Sequence, residues 1–524
     1  MVFASLFFIY AFFALNLIFY MIVRTEDIYF RNGVMLVFSL IFYAFVGPKY
    51  ILLLVGETLI SYICALGISK TENGGRKLFL ALDIVLLLGL LGYFKYAGFL
   101  VTNFNLLPFP DLKVPQVASV VGISFYTFQL ISYTVDVFRK EVKPQKNFLR
   151  LLLYTSMFHQ CIAGPIVRYS TVQKELRSRT ADSTDLYEGI LRFSTGLAKK
   201  AILANGVASV AKSLLPEGVA AMQTTPPANI ALGIFCFTLQ IYLDFSAYSD
   251  MAIGMGRMLG FHYPENFNYP YTAVSVTDFW RRWHISLSSF FRDYVYIPLG
   301  GNRKGLVITI LNLFVVWFLT GMWHGASWNF ILWGLYYFVI LVIEKCIRSA
   351  IKKSASKKNS VVLETAEGTV VLSGESSDSH SSEKDSAPLP LRCLGHVYTM
   401  ILVIIGWGIF YFEDLSLLKA ASKSMLLSGK WNLIHNAHDL IANLYNDHML
   451  ITLKSNLILL IVAILACFPI WTGFRKLIEK AGKKNSAFTA LGGIIDITVM
   501  ILCMLLATIA LAGNTYNPFL YFRF

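Results

Sequence analysis

Leu306–Glu344 reads LVITILNLFVVWFLTGMWHGASWNFILWGLYYFVILVIE. Two apolar runs, 306–321 and 328–345, flank a short polar link that carries His324. Runs of this length, charged only at Glu344 and Lys345 where the second ends, fit helices that cross a bilayer, which needs about 20 apolar residues. Shorter uninterrupted apolar runs recur along the chain, among them Ile51–Val55 and Ile84–Leu88. The composition agrees: of 524 residues, 56% are hydrophobic, 15% aromatic and only 15% charged. Soluble domains carry about 25% charged residues, so a soluble enzyme, a disordered scaffold and a secreted disulfide domain are excluded. The expectation is an all-α polytopic membrane protein.

Candidate spans fall at about 3–23, 34–47, 51–68, 78–100, 117–138, 196–215, 229–256, 306–321, 328–345, 395–412, 455–473 and 487–512. That gives 11–12 transmembrane helices, the first read as a retained span and not a cleaved leader. The stretch 148–167 is apolar but holds His159, Gln160, Gly164 and Pro165. It suits a re-entrant half-helix, because broken backbone at membrane depth must be covered by protein. The net charge of +14 is assigned to cytoplasmic loops, not to nucleic acid. Basic residues gather at Arg139–Arg150, at 281–304, after 344 and at Arg475–Lys484, which places those loops in the cytoplasm and both termini outside. Three regions are expected: a membrane core over 1–350, a disordered Ser/Glu-rich cytoplasmic loop over 351–390, and a last group of helices with an outer loop over 391–524. The seven cysteines are scattered without a C-x-x-C and read as small hydrophobes.

Chemistry concentrates in a few places. No phosphate-binding G-x-x-x-x-G-K-[ST], nucleophile elbow or H-E-x-x-H occurs. Glu265–Lys304 interleaves Phe279, Trp280, Trp283, Phe290 and Phe291 with Arg281, Arg282, His284, Arg292 and Arg303. As one helix it would be amphipathic at the membrane surface: a plain interfacial anchor, or a cationic, aromatic-lined mouth for a donor bearing phosphates and a base. His324, between glycines and two apolar runs, is either a general base or a packing histidine. In Gln240–Asp250, Asp244 and Tyr248 share a helix face, as a tunnel wall or as polar glue. Asp136 and Asp496 raise the same question. His435, His438 and His448 match no metal-ligand signature, so no metal is expected.

The segments GISFYTFQLISYTVDVFR (Gly122–Arg139), IAGPIVRY (Ile162–Tyr169), QIYLDFSAYSDMAIG (Gln240–Gly254), ENFNYPY (Glu265–Tyr271), DFWRRWHISLSSFFRDYVYIPLGGNR (Asp278–Arg303) and MWHGASWNFILWG (Met322–Gly334) resemble the membrane-bound O-acyltransferase family. The likeness is to its bacterial branch, which serves alginate and peptidoglycan O-acetylation and teichoic acid D-alanylation. The resemblance implies tilted helices around a central funnel, with acyl donor entering from the cytoplasm and acceptor from outside. It implies that His324 is the essential histidine and His284 the second. Donor binding is then expected at Arg281, Arg282, Arg303, Trp323, Asn329 and Asp244. The co-substrate would be acetyl-CoA, with no bound cofactor. The acceptor would be an extracytoplasmic polysaccharide, reached through a separate SGNH-hydrolase-like acyltransferase. The terminal aromatic run Asn517–Phe524 resembles that of acetylating relatives, which makes Tyr521 a candidate acyl relay; the alternative is an interfacial aromatic belt. Departures are His159 where relatives often have Pro, Ala247 where they often have Gly, and the acidic insert at 351–390. The alternatives are D-alanyl transfer from a carrier protein, and a transporter, which the absence of an internal repeat disfavours.

Overall fold

The computed structural model describes residues 2–22, 27–45, 47–117, 120–162, 164–359, 388–427 and 437–513, together with the backbone at 364–365 and 368–369. Among them the regular structure is helical, apart from one pair of two-residue strands, Glu364–Thr365 and Gly368–Thr369. Seven helices are long and apolar enough to cross a bilayer: Pro48–Lys70, Gly74–Phe104, Pro227–Met258, Gly305–His324, Trp328–Ile351, Leu389–Tyr411 and Ser486–Ala512. An eighth crossing is formed if Asp447–Ser455 and Leu457–Ala466, bent by 62°, count as one.

Among the described residues, seven or eight of the 11–12 expected spans thus meet that length and hydropathy, and the others take shorter or more buried forms. Phe8–Ile22 and Ile28–Ala44 are shorter apolar helices. Ile123–Phe138 has only 16 residues and is buried along nearly its whole length, so its apolar side chains serve protein packing and not lipid. The expected span 196–215 lies in a longer run, Ser183–Ala198, a π-turn at Lys199–Ala204 and Asn205–Leu214, whose lysines bond inward. The half-helix at 148–167 is present: Phe148–Ser156 is helical, and irregular buried backbone follows. There Gln160 Nε2 donates to Tyr154 O at 2.6 Å, and His159 Nδ1 lies 2.8 Å from the Tyr263 hydroxyl. Such backbone is tolerated because protein surrounds it.

Pro227–Met258 is the central post. Of its most apolar window 72% is buried, against 17% for Gly74–Phe104 and for Ser486–Ala512 at the periphery. Its polar string is paired sideways. Lys200 Nζ reaches Asp244 Oδ1 at 2.6 Å with both side chains buried, and Lys199 and Arg192 hold Asp250 at 2.7 and 3.1 Å. Asp136 accepts from the Tyr294 hydroxyl at 2.7 Å; Asp496 pairs with Arg475 at 3.0 Å.

Gly305–His324 and Trp328–Asn359 form an antiparallel hairpin with His324 at its turn. Glycine lets their backbones touch: a Cβ on Gly334 would lie 2.4 Å from Trp317 O, and one on Gly321 2.5 Å from Phe330 O.

Candidate active site

The basic aromatic stretch is two short helices, not one surface helix. Val276–Arg282 starts at Ser275, whose side chain accepts from Asp278 N. Buried Glu344 accepts from Val276 N at 2.8 Å and Thr277 N at 2.9 Å, satisfying donors that a helix start leaves free. The helix breaks at Trp283, and Ile285–Phe291 begins after His284, which adopts φ 44° and ψ 56°. Asn266 stabilises this left-handed residue. Its carbonyl accepts from Ile285 N at 2.9 Å, and its Oδ1 accepts from Ser286 Oγ at 2.8 Å and faces His284 Nδ1 at 3.1 Å. An Nδ1–H donating to that oxygen leaves the imidazole lone pair on Nε2, which is buried without a partner among the described residues. Burial also pushes the His284 pKa down to about 3, so the ring is neutral at physiological pH. Trp280, Trp283 and Leu287 are all buried. The surface-anchor reading is thereby corrected, because the break at His284 turns the segment into the bundle.

His324 ends its helix inside an aromatic cage. Its ring centre lies 4.9 Å from Trp333, 5.1 Å from Trp323 and 5.3 Å from Phe410. Its Nδ1 is buried without a partner among the described residues. Trp323 also lies 5.7 Å from His284, so one indole separates the two imidazoles.

Both histidines line a cavity of about 410 Å³. Leu313, Val316, Trp317, Thr320 and His324 form one wall, at the spacing of a single helix face. That face runs about 16 Å from Leu313 to His324, at 1.5 Å per residue. Arg281, Arg292, Lys345 and Arg348 line the same cavity. Lys345 and Arg348 stand about 25–30 Å down the hairpin from its turn by the same rise. Two of the four cations thus stand far along the hairpin from the caged imidazole.

The expected donor residues divide. Arg281 lines the cavity and is exposed. Arg282 does not line it; its Nε donates to Asp278 Oδ2 at 3.0 Å and its Nη1 to Asn268 O at 3.3 Å. Arg303 is exposed in the turn beyond Tyr296 and is not on the cavity wall. Asp244 is in the buried pair with Lys200, away from the wall. Asn329 is buried and donates to Phe410 O at 3.0 Å, tying the turn to the next helix. Tyr521 and His435 lie outside the described residues, as does most of 351–390. The sequence offers Lys345 and Arg348 only as loop charge, whereas the helix Trp328–Asn359 continues through both. Asp293 is a further missed residue. Burial raises its pKa, but hydrogen bonds from Arg292 and Arg168 outweigh this and hold it below the usual carboxylate range.

Residues 90–363 match the family described as MBOAT, membrane-bound O-acyltransferase family. That stretch is more than half of the chain, and it contains both histidines and every cavity-lining residue.

The chain belongs to the membrane-bound O-acyltransferase family.

It is 33% identical over 556 residues to the probable alginate O-acetylase AlgI of Azotobacter vinelandii, covering 100% of both chains. It is 36% identical over 348 residues to the peptidoglycan O-acetyltransferase of Helicobacter pylori, covering 60% of this chain and 64% of that one. It is 29% identical over 244 residues to the teichoic acid D-alanyltransferase of Bacillus subtilis, covering 45% and 61%. This membrane-bound O-acyltransferase is a multi-pass bacterial membrane enzyme that transfers acyl groups.

Proposed function

We propose that the enzyme takes an acetyl group from acetyl-CoA at the basic residues of the cavity and passes it towards an extracytoplasmic polysaccharide. The observation that carries this reading is one cavity lined by Arg281, Arg292, Lys345 and Arg348 as well as by His284 and His324, with Lys345 and Arg348 about 25–30 Å along the hairpin from its turn. Guanidinium groups suit phosphate oxygens, and a long apolar passage suits a thioester on a flexible arm. The names of two relatives, an alginate O-acetylase and a peptidoglycan O-acetyltransferase, support acetyl and a glycan acceptor.

In the proposed step His324 takes the proton of an acceptor hydroxyl as its oxygen attacks the thioester carbonyl. The tetrahedral intermediate collapses with cleavage of the C–S bond. The imidazolium then returns the proton to the leaving thiolate, so ester and free thiol are the only products. The aromatic cage keeps water from competing with the acceptor. His284, held neutral and aimed by Asn266, is the second polar group beside the reacting centre. Tyr521 is proposed as the acceptor that relays the acetyl group to a separate SGNH-hydrolase-like transferase, with the phenol oxygen forming the ester.

The test is transfer of labelled acetyl from acetyl-CoA by the purified enzyme in liposomes, with His324→Ala as control. Histidine-dependent label in the protein or a supplied glycan is expected. Folded wild-type protein that transfers nothing from acetyl-CoA but accepts D-alanine from its carrier protein would replace the donor with that carrier. Peptide mass analysis after turnover should show a 42 Da-scale acetyl adduct on Tyr521 (about 42 Da for replacing a hydroxyl proton in nucleophilic catalysis). An unmodified terminal peptide would remove the relay.

A further inference from the structure

Gly74–Phe104 has the least-buried apolar window among the spans of the first half of the chain, yet it carries a lysine in mid-span. An ionisable side chain there needs a reason. The helix is regular to Leu91, widens into a π-turn at Gly92–Tyr96, and resumes at Ala97–Phe104. Such turns add a residue and re-aim the side chains around them.

Here the re-aimed side chains are Lys95 and Tyr96, and both reach the last turn of the His324 helix. Lys95 Nζ donates to Trp323 O, and the Tyr96 hydroxyl donates to Met322 O at 2.6 Å. Lys95 Nζ also reaches Ser124 Oγ at 3.3 Å, and it sits 5.9 Å from the Trp323 ring centre. It makes no ion pair with a carboxylate among the described residues. The final carbonyls of a helix have no partner within it and carry its negative end, so a cation and a hydroxyl are well-matched groups to hold them. Beyond the turn the same helix grips again. Trp328 Nε1 donates to Asn103 Oδ1 at 2.8 Å, and Phe99 meets the Trp328 ring edge-on at 5.7 Å. One otherwise peripheral helix thus holds both sides of the turn that presents His324.

We propose that Lys95, with Tyr96, is a positioning residue for the acyl transfer: it fixes the end of the His324 helix and so sets the height and direction of the imidazole. It lines no part of the donor cavity. Its removal therefore acts on the reacting geometry and not on donor binding. A shift of about 1 Å in a reacting group lowers rates by about 100-fold. The proposal rests on His324 being the base.

The experiment is donor-saturation kinetics in liposomes for the wild type, Lys95→Met, Lys95→Arg, Tyr96→Phe and His324→Ala, with thermal unfolding of each. Lys95→Met should lower kcat by about 10–100-fold with the donor KM within about twofold. Lys95→Arg, which restores a cationic donor, should recover most of kcat. Tyr96→Phe removes only a hydroxyl, so it remains a test if Lys95→Met fails to fold, and it should lower kcat alone by several-fold, on the order of one lost hydrogen bond. Wild-type kcat in folded Lys95→Met, or a loss wholly in KM, overturns the proposal while an inactive His324→Ala keeps the base. If only Tyr96→Phe folds, its unchanged kcat overturns it in the same way. Full activity in His324→Ala overturns both.

Discussion

Two polar regions lie inside this bundle, and they are built oppositely. Along Pro227–Met258, Asp244 and Asp250 are each met by a cation, Lys200 at 2.6 Å and Lys199 at 2.7 Å. Around the hairpin turn, His284 Nε2 and His324 Nδ1 are buried among aromatic rings without a partner among the described residues, and both residues border a cavity. Burying a polar group without a hydrogen bond is unfavourable by about 1–3 kcal/mol in proteins, so such an arrangement persists where it serves something other than stability. Paired charges hold helices together; imidazoles that keep one nitrogen open beside a cavity are available for proton transfer.

Substitutions at each region should separate these roles. His324→Ala should lower turnover by about 10²–10⁴-fold, the usual contribution of a general base, while the thermal midpoint stays at or above that of the wild type. Parallel acetyl-transfer and unfolding measurements read both quantities. Asp244→Ala should do the reverse. It takes away the carboxylate that buried Lys200 meets, which destabilises by about 3–5 kcal/mol, while turnover per folded molecule is unchanged. Replacing both partners, as in Lys200→Met with Asp244→Leu, should recover most of that loss in denaturation experiments. A stable, inactive Asp244→Ala would break the comparison.

A smaller effect concerns acid. An unfolded histidine binds a proton near its ordinary value of 6.5, whereas folded His284 resists until about 3. Protons therefore favour the unfolded chain throughout that window, and this contribution to stability is lost as the pH falls below 6.5. The slope approaches about 1.4 kcal/mol per pH unit from this residue alone. His284→Gln should flatten that limb when unfolding is followed from pH 7 to pH 4.5. The smallest change is expected at the rim: Arg281→Gln should raise the donor KM by up to about fivefold, the ~1 kcal/mol of an exposed charge contact. Arg282→Gln, whose guanidinium faces Asp278, should leave the donor KM unchanged in the same saturation curves.

The sequence makes the membrane class legible and singles out His324, because a histidine between apolar runs stands out without any coordinates; His284, within the basic aromatic stretch, stands out only through the family resemblance. The half-helix at 148–167 is legible too, since Gly164 and Pro165 interrupt an apolar run. Which apolar runs face lipid is not, because hydropathy cannot separate lipid-facing from protein-facing residues: Ile123–Phe138 is rich in apolar residues but is buried along nearly its whole length. The break at His284 has no glycine or proline to announce it; it depends on Asn266, which is 18 residues away. The partners of Gln240–Asp250 are equally hidden, because Lys199 and Lys200 belong to another helix. Arg281 and Arg282 are neighbours in sequence, and only the helix face that each occupies separates a cavity-lining side chain from one engaged with Asp278.

The cage around His324 has a second consequence. An enzyme with a hydrated, charged vestibule inside a bilayer risks becoming a leak for ions and protons. Trp323, Trp333 and Phe410 stand within 5.3 Å of the imidazole, ring centre to ring centre, and all three are buried. Packed apolar rings are the kind of lining that dewets a passage, as apolar gates do in channels. On the proposed mechanism, the collar that would shelter the acyl group from hydrolysis would also act as an insulator, so that group transfer leaves the membrane its electrical resistance.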